Sequence, residues 1–254
     1  MRFDTLADRL RTAEDALDHR APDRGRLVLR LDGRGFTRLT KQTLPLARPV
    51  DAGFHDAMAR TAERLMQAGP RVTLAYTVSD EISLLLAADE GAYGRRIAKL
   101  VSVFAGEASA ALSLALGHPA AFDARVSALP DGEGVIDYLR WRAEDGRRNA
   151  LSTACHWHLL DAGLAPQAAA AAVAGMDPPA KAAWLRARGV DPDAWPAWRR
   201  QGALLAWPEV PHVGRDPRTG AVAQTVRRAL TWADPMPEGA ALGQHVRALI
   251  EARA

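Results

Sequence analysis

A hairpin with a polar tip constrains the fold of this chain more than any other feature. Apolar residues alternate with other residues along 72–78 and again along 82–86, and Ser79-Asp80-Glu81 lies between the two runs. Alternation at every second position is typical of a β-strand with one buried face. Two such runs joined by a short polar segment predict an antiparallel hairpin with Asp80 at its tip.

A third strand is predicted at 27–31, where a short apolar run leads into Asp32-Gly33-Arg34-Gly35. Apolar spacing and the positions of Gly and Pro predict helices at 4–20, 51–68, 92–116 and 134–160, a strand at 122–126, and a late hairpin formed by 203–210 and 221–232. The segment 175–200 is rich in Pro and Trp and is assigned to no element. The order αβαββαβα predicts an α+β fold.

The two strand ends that carry aspartates suggest a more specific architecture. If strand 27–31 and the hairpin are neighbours in one antiparallel sheet, Asp32 and Asp80 meet at its edge, as in the palm of a polymerase or cyclase. We therefore expect residues 1–135 to form a palm-like catalytic core whose antiparallel sheet is flanked by helices. Residues 136–254 are expected to form a helical and hairpin region packed on that core within one compact domain.

Composition limits the class of protein. The single cysteine, Cys155, excludes an internal disulfide and predicts a reducing, cytoplasmic compartment. The N-terminus is charged and no uncharged run approaches the ~18 apolar residues of a membrane span, so we expect neither a signal peptide nor a membrane partner. A formal net charge of +3 permits a polyanionic partner without requiring one.

Asp32 and Asp80 are the candidate metal ligands. Phosphoryl transfer between nucleotides uses two Mg²⁺ ions about 4 Å apart, held by a few carboxylates and otherwise by phosphate and water. The Gly33 carbonyl is a possible additional ligand. The alternative is that Asp-Gly and Ser-Asp only form turns, which both dipeptides favour. Spacing alone favours the turn.

Each candidate phosphate ligand also has two interpretations, a phosphate-binding role and an ordinary structural or surface role. Gly33-Arg34-Gly35 allows close backbone approach to a phosphate, but it is neither a dinucleotide fingerprint nor a P-loop. On the predicted helix 92–116, Arg95 and Arg96 neighbour Lys99, a cluster that suits a triphosphate but is also typical of a solvated basic face. Arg48 has the same two interpretations.

A zinc site near Cys155 is not favoured. No second cysteine or Cys-x-x-Cys motif completes it, and Cys155 continues an apolar stripe, so we assign it to the core and His156 or His158 to the surface. Four tryptophans of the C-terminal half could stack on bases, although packing is the commoner role: Trp184, Trp195, Trp198 and Trp207.

Several motifs, taken together and in order, resemble those of the tRNA-His guanylyltransferase family. They are Arg30-Leu31-Asp32-Gly33-Arg34 with Phe36, Tyr76-Thr77-Val78-Ser79-Asp80-Glu81, Arg95-Arg96-Ile97-Ala98-Lys99, Phe122-Asp123-Ala124-Arg125, Tyr138-Leu139-Arg140-Trp141-Arg142 with Asp145 and Asn149, and Gly202 to Trp207. They extend over roughly residues 25 to 210. Chance does not explain so many motif matches in the same order. The resemblance therefore overrides the turn and surface interpretations above.

The resemblance implies a palm fold that adds nucleotides to the 5′ end of tRNA in the 3′–5′ direction. It implies that a nucleoside triphosphate, ATP or GTP among them, activates the 5′ phosphate, which the 3′ hydroxyl of an incoming nucleotide then attacks. Two Mg²⁺ ions are held by Asp32, Asp80 and the Gly33 carbonyl, and Ser79 and Glu81 flank them. Nucleotide or phosphate contacts are assigned to Arg34, Gly35, Phe36, Arg48, Arg95, Arg96 and Lys99, and tRNA contacts to Arg142, Arg147, Arg148 and Asn149. The family also implies a homotetramer, a dimer of dimers.

Two departures from the eukaryotic pattern point to the prokaryotic, guanylyltransferase-like branch. Arg147-Arg148-Asn149-Ala150 stands where eukaryotic members have His-Ile-Asn-Asn, and Arg48 replaces a lysine. Members of that branch repair 5′-truncated tRNA using the opposite strand as template. Two rival functions use the same residues: a nucleotide-cyclase-like palm enzyme, and a catalytically inactive tRNA-binding protein.

Overall fold

A six-stranded antiparallel sheet forms the centre of the fold. The computed structural model describes residues 3–44, 46–48, 51–216 and 218–252. Its strands are β1 Arg26–Gly33, β2 Val72–Val78, β3 Glu81–Leu86, β4 Phe122–Leu129, β5 Ala203–Ala206, β6 Glu209–Arg215, β7 Val222–Arg228 and β8 Thr231–Trp232. Their spatial order in the main sheet is β4-β1-β3-β2-β5-β8, and β6 and β7 form a separate two-stranded hairpin. The predicted hairpin 72–86 is confirmed as β2 and β3, next to β1.

Helices cover both faces of the sheet. They are α1 Phe3–Asp15, α2 Phe36–Arg38, α3 Ala52–Leu65, α4 Ile97–Leu116, α5 Gly132–Asp161, α6 Pro166–Val173, α7 Pro178–Arg186, α8 Ala197–Gln201 and α9 Gly239–Glu251. A π-helical turn Leu39–Thr43 follows α2, and 3₁₀ turns lie at Ala92–Arg95 and Pro192–Ala194. Apolar side chains of α3 and α4 form one core with the sheet, and those of α5 and α9 form another on its opposite face. The α+β order and the palm-like class are confirmed.

The predicted helix 92–116 begins later than expected. Tyr93, Gly94 and Arg95 have φ angles of 55°, 60° and 58°, which an α-helix does not accommodate. The helix α4 therefore begins at Ile97, with Arg96 as its N-cap residue. The prediction that Arg95, Arg96 and Lys99 share one helix face was wrong for this reason.

The predicted late hairpin was partly wrong. Residues 203–206 do not belong to it, because they form β5 and pair with β2 in the main sheet. Pro208 follows, and a proline cannot donate an amide to a strand ladder. The hairpin proper consists of β6 and β7, and the chain then returns to pair β8 with β5. The unassigned segment 175–200 contains α7 and α8, both shorter than ten residues.

The sequence predicts no membrane span, but α4 has the length and composition of one. By length and composition it could cross a bilayer, since its most apolar window has a mean hydropathy of 1.4 over 18 residues. Leu100, Phe104, Ala108 and Leu112, however, are buried in the core formed with α3 and the sheet. A core helix satisfies the same length and composition criteria.

At Gly146, helix α5 packs closely against Val78 of β2. A Cβ atom at Gly146 would lie 2.2 Å from Cγ2 of Val78, so Gly146→Ala should force the helix away from β2. We expect it to lower the free energy of unfolding by about 1–3 kcal/mol, the usual cost of overpacking a core. Chemical denaturation followed by circular dichroism measures the change.

The matched control is Gly106→Ala in α4, where an added Cβ meets no atom within 4 Å. Because alanine favours helix over glycine, this control should be neutral or more stable by about 0.5–1 kcal/mol. Combining Gly146→Ala with Val78→Ala should recover part of the loss, since the clashing methyl group is gone. Equal losses at Gly146 and Gly106 would contradict the packing explanation.

Candidate active site

Strand register brings the two predicted aspartates together. Asp32 lies opposite Glu81 in the β1–β3 ladder, and the amide of Gly33 donates to the carbonyl oxygen of Asp80 over 3.1 Å. The pKa of Asp80 is raised by burial, and the negative charge of Asp32 raises it further. The Ser79 hydroxyl opposes this by donating to Oδ1 of Asp80 at 3.0 Å. An acidic pair therefore lies at one end of the sheet.

The backbone around the pair is shaped for this approach. Ser79 has a φ of 55°, an uncommon conformation for a residue with a side chain, in the two-residue turn that carries Asp80. Gly33 cannot be replaced without movement, because a Cβ atom there would lie 2.4 Å from the ring of Phe36. Phe36 is 2% exposed and packs edge-on against Phe54 and Phe122. Gly33 and Phe36 thus hold the turn that follows Asp32.

The donor set of this pair fits a hard divalent cation. Carboxylate and carbonyl oxygens are the ligands that Mg²⁺ accepts, and Mg²⁺ commonly takes its remaining ligands from phosphate and water. A cation between Asp32 and Asp80 would relieve the repulsion that contributes to the raised pKa of Asp80. Within the described ranges no group of three or more His, Cys, Asp or Glu side chains converges on one point. Such a cation would therefore need ligands that are not carboxylates, as a nucleotide supplies.

Beneath Asp32 lies a buried ionic network that the sequence did not indicate. Glu81 is 6% exposed and accepts from Nε of Arg142 at 2.8 Å, with Arg30 at 3.8 Å. Ser83 donates to Glu81 at 3.3 Å and contacts the Tyr138 hydroxyl at 3.1 Å. Burial raises the pKa of Glu81, and the two arginines oppose that rise. Polar residues at inward positions of an otherwise apolar hairpin were the available signal for this network.

The predicted tRNA contact of Arg142 does not fit its position. The residue is 7% exposed, and its guanidinium binds both Glu81 and Asp145, each at 2.8 Å. A side chain enclosed in this way cannot reach a nucleic-acid backbone. Arg142 therefore holds Glu81 in place, next to the acidic pair.

A cavity of about 310 Å³ adjoins Asp80. Its wall is formed by the segment after β1, the start of α3, the second half of α5, and α8. The guanidinium of Arg48 lies over the Trp157 ring at 4.1 Å, and Nζ of Lys41 lies 6.0 Å from the centre of the same ring. His55 and Trp198 stack at 4.3 Å, and burial lowers the pKa of His55. Other lining residues are Ser79, Asp80, Asn149 and Arg199.

The structure does not bring the predicted basic cluster to this cavity. Helix α4 begins beside residues 19–21, ahead of β1, whereas Asp32 lies at the far end of that strand. Arg95 donates to the carbonyl oxygens of Glu90 and Pro22, and Arg96 lies 3.6 Å from Asp18. Phosphate binding by Arg95, Arg96 and Lys99 stays a prediction, and it would concern a surface distinct from the cavity.

The remaining predicted nucleic-acid ligands are exposed. Arg147 lies 3.4 Å from Asp193, and Arg148 and Asn149 border a groove that Lys181 also lines. Arg34 and Gly35 are exposed in the turn after β1, and the amide of Arg34 donates to the Ala121 carbonyl. All five positions are accessible to a ligand, and their roles stay predictions.

The chain is similar to known proteins in sequence and in fold. The model of the tRNA-His guanylyltransferase family matches residues 7–130. A probable tRNA(His) guanylyltransferase of Drosophila melanogaster is 33% identical over 158 residues, 59% of this chain and 55% of the relative. The tRNA(His) guanylyltransferase of Neurospora crassa is 32% identical over 148 residues, 54% of this chain and 50% of the relative. The chain spans about half the length of the curated relatives it matches.

Solved structures extend the likeness in fold over most of the chain. A bacterial tRNA(His) guanylyltransferase-like protein in complex with ATP superposes with a TM-score of 0.69 at 23% identity, covering 89% of this chain and 91% of that protein. The tRNA(His) guanylyltransferase of Saccharomyces cerevisiae gives a TM-score of 0.66 at 25% identity, covering 77% of this chain and 91% of the yeast chain. The residues matched by the family model include Asp32, Asp80 and Glu81. Over residues 7–130 the chain is similar to the tRNA-His guanylyltransferase family.

Proposed function

We propose that this protein is a metal-dependent nucleotidyltransferase that adds nucleotides to the 5′ end of tRNA in the 3′–5′ direction. The observation that carries the proposal is the acidic pair Asp32–Asp80 at the sheet edge, next to a cavity with cationic side chains in its wall. The similarity of residues 7–130 to the tRNA-His guanylyltransferase family supports the same activity. Mg²⁺, two ions per active site, is the proposed cofactor.

The proposed reaction has two steps, each of which forms one bond to phosphorus and breaks another. An oxygen of the tRNA 5′ phosphate attacks the α-phosphorus of a nucleoside triphosphate, and the bond to pyrophosphate breaks. The 3′ hydroxyl of an incoming nucleoside triphosphate then attacks the activated 5′ phosphorus, and the nucleoside monophosphate leaves while the hydroxyl proton passes to solvent. Metal bound by Asp32, Asp80 and the Gly33 carbonyl would neutralise phosphate oxygens.

Residues of the cavity supply binding and orientation for these steps. Lys41 and Arg48 place positive charge on one side of it, which suits a polyphosphate. Ser79 positions the carboxylate of Asp80, and Arg30 and Arg142 together position Glu81 beside Asp32.

We further propose that the tRNA end is recognised by charge and shape and that a template selects the base. Arg147 and Arg148 stand where eukaryotic members have a His-Ile pair, and arginine bound to backbone phosphate carries no base information. Base choice would then come from Watson–Crick pairing with the opposite strand. The resemblance also supports a cytoplasmic homotetramer, which sedimentation equilibrium of the full chain would test.

The test uses 5′-monophosphorylated tRNAs of several identities, each lacking its first nucleotide, with ATP, Mg²⁺ and each labelled nucleotide in turn. We expect every truncated tRNA to be extended, with the added base complementary to the opposite strand. Binding should weaken as salt rises, because each phosphate contact releases counterions. Exclusive addition of one G to full-length tRNA-His, whatever base lies opposite, would contradict the templated proposal.

Two control reactions separate the rival functions. Consumption of nucleoside triphosphate at an undiminished rate without RNA would indicate a cyclase-like enzyme. Tight tRNA binding that is unaffected by Mg²⁺, with no extension of any substrate, would indicate an inactive binding protein. Extension that requires both RNA and Mg²⁺ supports the transferase.

A further inference from the structure

Arg199 is a charged side chain in the cavity wall that no described carboxylate neutralises. It lies on α8, and its guanidinium stacks on the Trp195 ring at 3.7 Å from the centroid. Within the described residues its Nε atom is buried and has no hydrogen-bond partner. Burial alone shifts the pKa of Arg199, downward, and no described carboxylate is close enough to oppose it. A half-buried cation without a counter-charge is unfavourable unless a ligand supplies one.

Other arginines that are buried or half-buried in the described chain differ in this respect. Arg30 and Arg95 also have an Nε atom without a hydrogen bond, but carboxylates lie 3.8 Å and 3.9 Å from their guanidinium groups. Arg142 binds two carboxylates. The next residue along, Arg200, is paired with Glu238 at 2.9 Å. Of the described arginines with an unpartnered buried Nε, Arg199 alone lacks a carboxylate, and it faces the cavity.

The charge balance of the cavity favours an anionic occupant. Its cationic side chains are Lys41, Arg48 and Arg199, and its carboxylates are Asp51 and Asp80. Asp51 is engaged by the amides of Phe54 and Ala47, each at 2.8 Å. Asp80 belongs to the acidic pair, where the proposed function places a metal. Neither carboxylate is therefore available to neutralise Arg199.

We propose that Arg199 binds a phosphate group of the nucleoside triphosphate in this cavity, from α8 and thus from a different element than Lys41 and Arg48. This inference rests on the proposed function. A phosphate matches the observations better than the edge of a base, because a base offers neutral acceptors and would leave the guanidinium charge uncompensated. The planar stack on Trp195 leaves the N–H groups at the guanidinium edge free for oxygen atoms.

Calorimetric binding to the full chain tests the inference, with Mg·ATP, Mg·GTP and inorganic tripolyphosphate as three separate probes. We expect Arg199→Gln to weaken all three by a similar factor of about 10–100, the scale of one lost charge-assisted contact. Arg199→Lys should lose less, because it keeps the charge. Arg188→Ala is the matched control, since Arg188 stacks on Trp184 at 3.7 Å and does not line the cavity.

The binding results distinguish a phosphate contact of Arg199 from a base contact and from a packing role. Unchanged binding of all three probes would overturn the inference, leaving Arg199 as a packing partner of Trp195. A loss confined to ATP or GTP, with tripolyphosphate unaffected, would overturn it in favour of a contact to the base. If the wild-type chain extends truncated tRNA while Arg199→Gln binds normally, only this inference fails. If the wild type binds nucleotide but never extends tRNA, the proposed function fails and the binding comparison still stands.

Discussion

Asp80→Asn is expected to reduce the rate of nucleotide addition by about 10³-fold or more, because metal ions contribute several kcal/mol to phosphoryl transfer and each 1.36 kcal/mol is a factor of ten. The change keeps the size of the side chain and removes the charge that would bind the cation. Single-turnover extension of truncated tRNA at saturating Mg²⁺ measures the rate. Asp32→Asn should have an effect of similar size, since both carboxylates are proposed to bind the ions.

Loss of the fold does not explain the expected effect of Asp80→Asn. The pKa of Asp80 is raised in the folded chain, by burial first, so its ionised form is less favourable there than in the unfolded chain. By linkage, the charge of Asp80 destabilises the fold at neutral pH, and asparagine should leave the melting temperature unchanged or higher. Aspartates that oppose folding are expected where function requires them.

Asp123→Asn is the matched control for this experiment. Asp123 is the cross-strand neighbour of Asp32 on the edge strand β4, but it is exposed and lies 3.6 Å from Arg125. Because the proposal gives Asp123 no role at the metals, its variant should keep near-normal turnover. A folded Asp80→Asn protein that adds nucleotides at a near-normal rate would contradict the two-metal proposal.

The sequence predicted those parts of the fold whose signals are local. Alternation along 72–78 and 82–86 gave β2 and β3, and the apolar run that ends at Asp32 gave β1. Both signals depend on residues close together in the chain, whereas the meeting of Asp32 with Asp80 required the further assumption that β1 and the hairpin are neighbours. The break before α4 was missed because left-handed conformations at Tyr93 and Arg95 leave no compositional trace, unlike that of Gly94.

Long-range partners could not be predicted from spacing. Arg142 occupies a position in α5 that, from the sequence, could equally be exposed, and only the packing of α5 on the sheet buries it against Glu81, 61 residues away. The cavity was missed for a similar reason, since four elements separated along the chain form its wall. Arg199 lies in a short helix of the segment that no periodicity described.

The second large effect is expected on stability, at the buried ion pair. Arg142→Ala would leave Glu81 buried with only Arg30, at 3.8 Å, as a charged partner. Removing one member of a buried pair typically costs about 3–5 kcal/mol, because the other charge stays desolvated. We therefore expect the free energy of unfolding to fall by an amount of that order, measured by urea denaturation. Arg140→Ala, two residues earlier on the same helix, is the control, since Arg140 is half exposed and its contact with Asp137 spans 3.4 Å.

A double variant separates stability from catalysis at this pair. Arg142→Met with Glu81→Gln removes both charges at similar volume, so much of the lost stability should return, as it does when buried ion pairs are replaced by uncharged groups. The rate of nucleotide addition should stay low, because Glu81 flanks the acidic pair. Glutamine is neutral and does not replace the negative charge of Glu81 beside Asp32. If the double variant regains both stability and rate, the charge of Glu81 has no part in the reaction. If Arg142→Ala is no less stable than Arg140→Ala, the pair does not hold α5 on the sheet, and the positioning role of Arg142 fails with it.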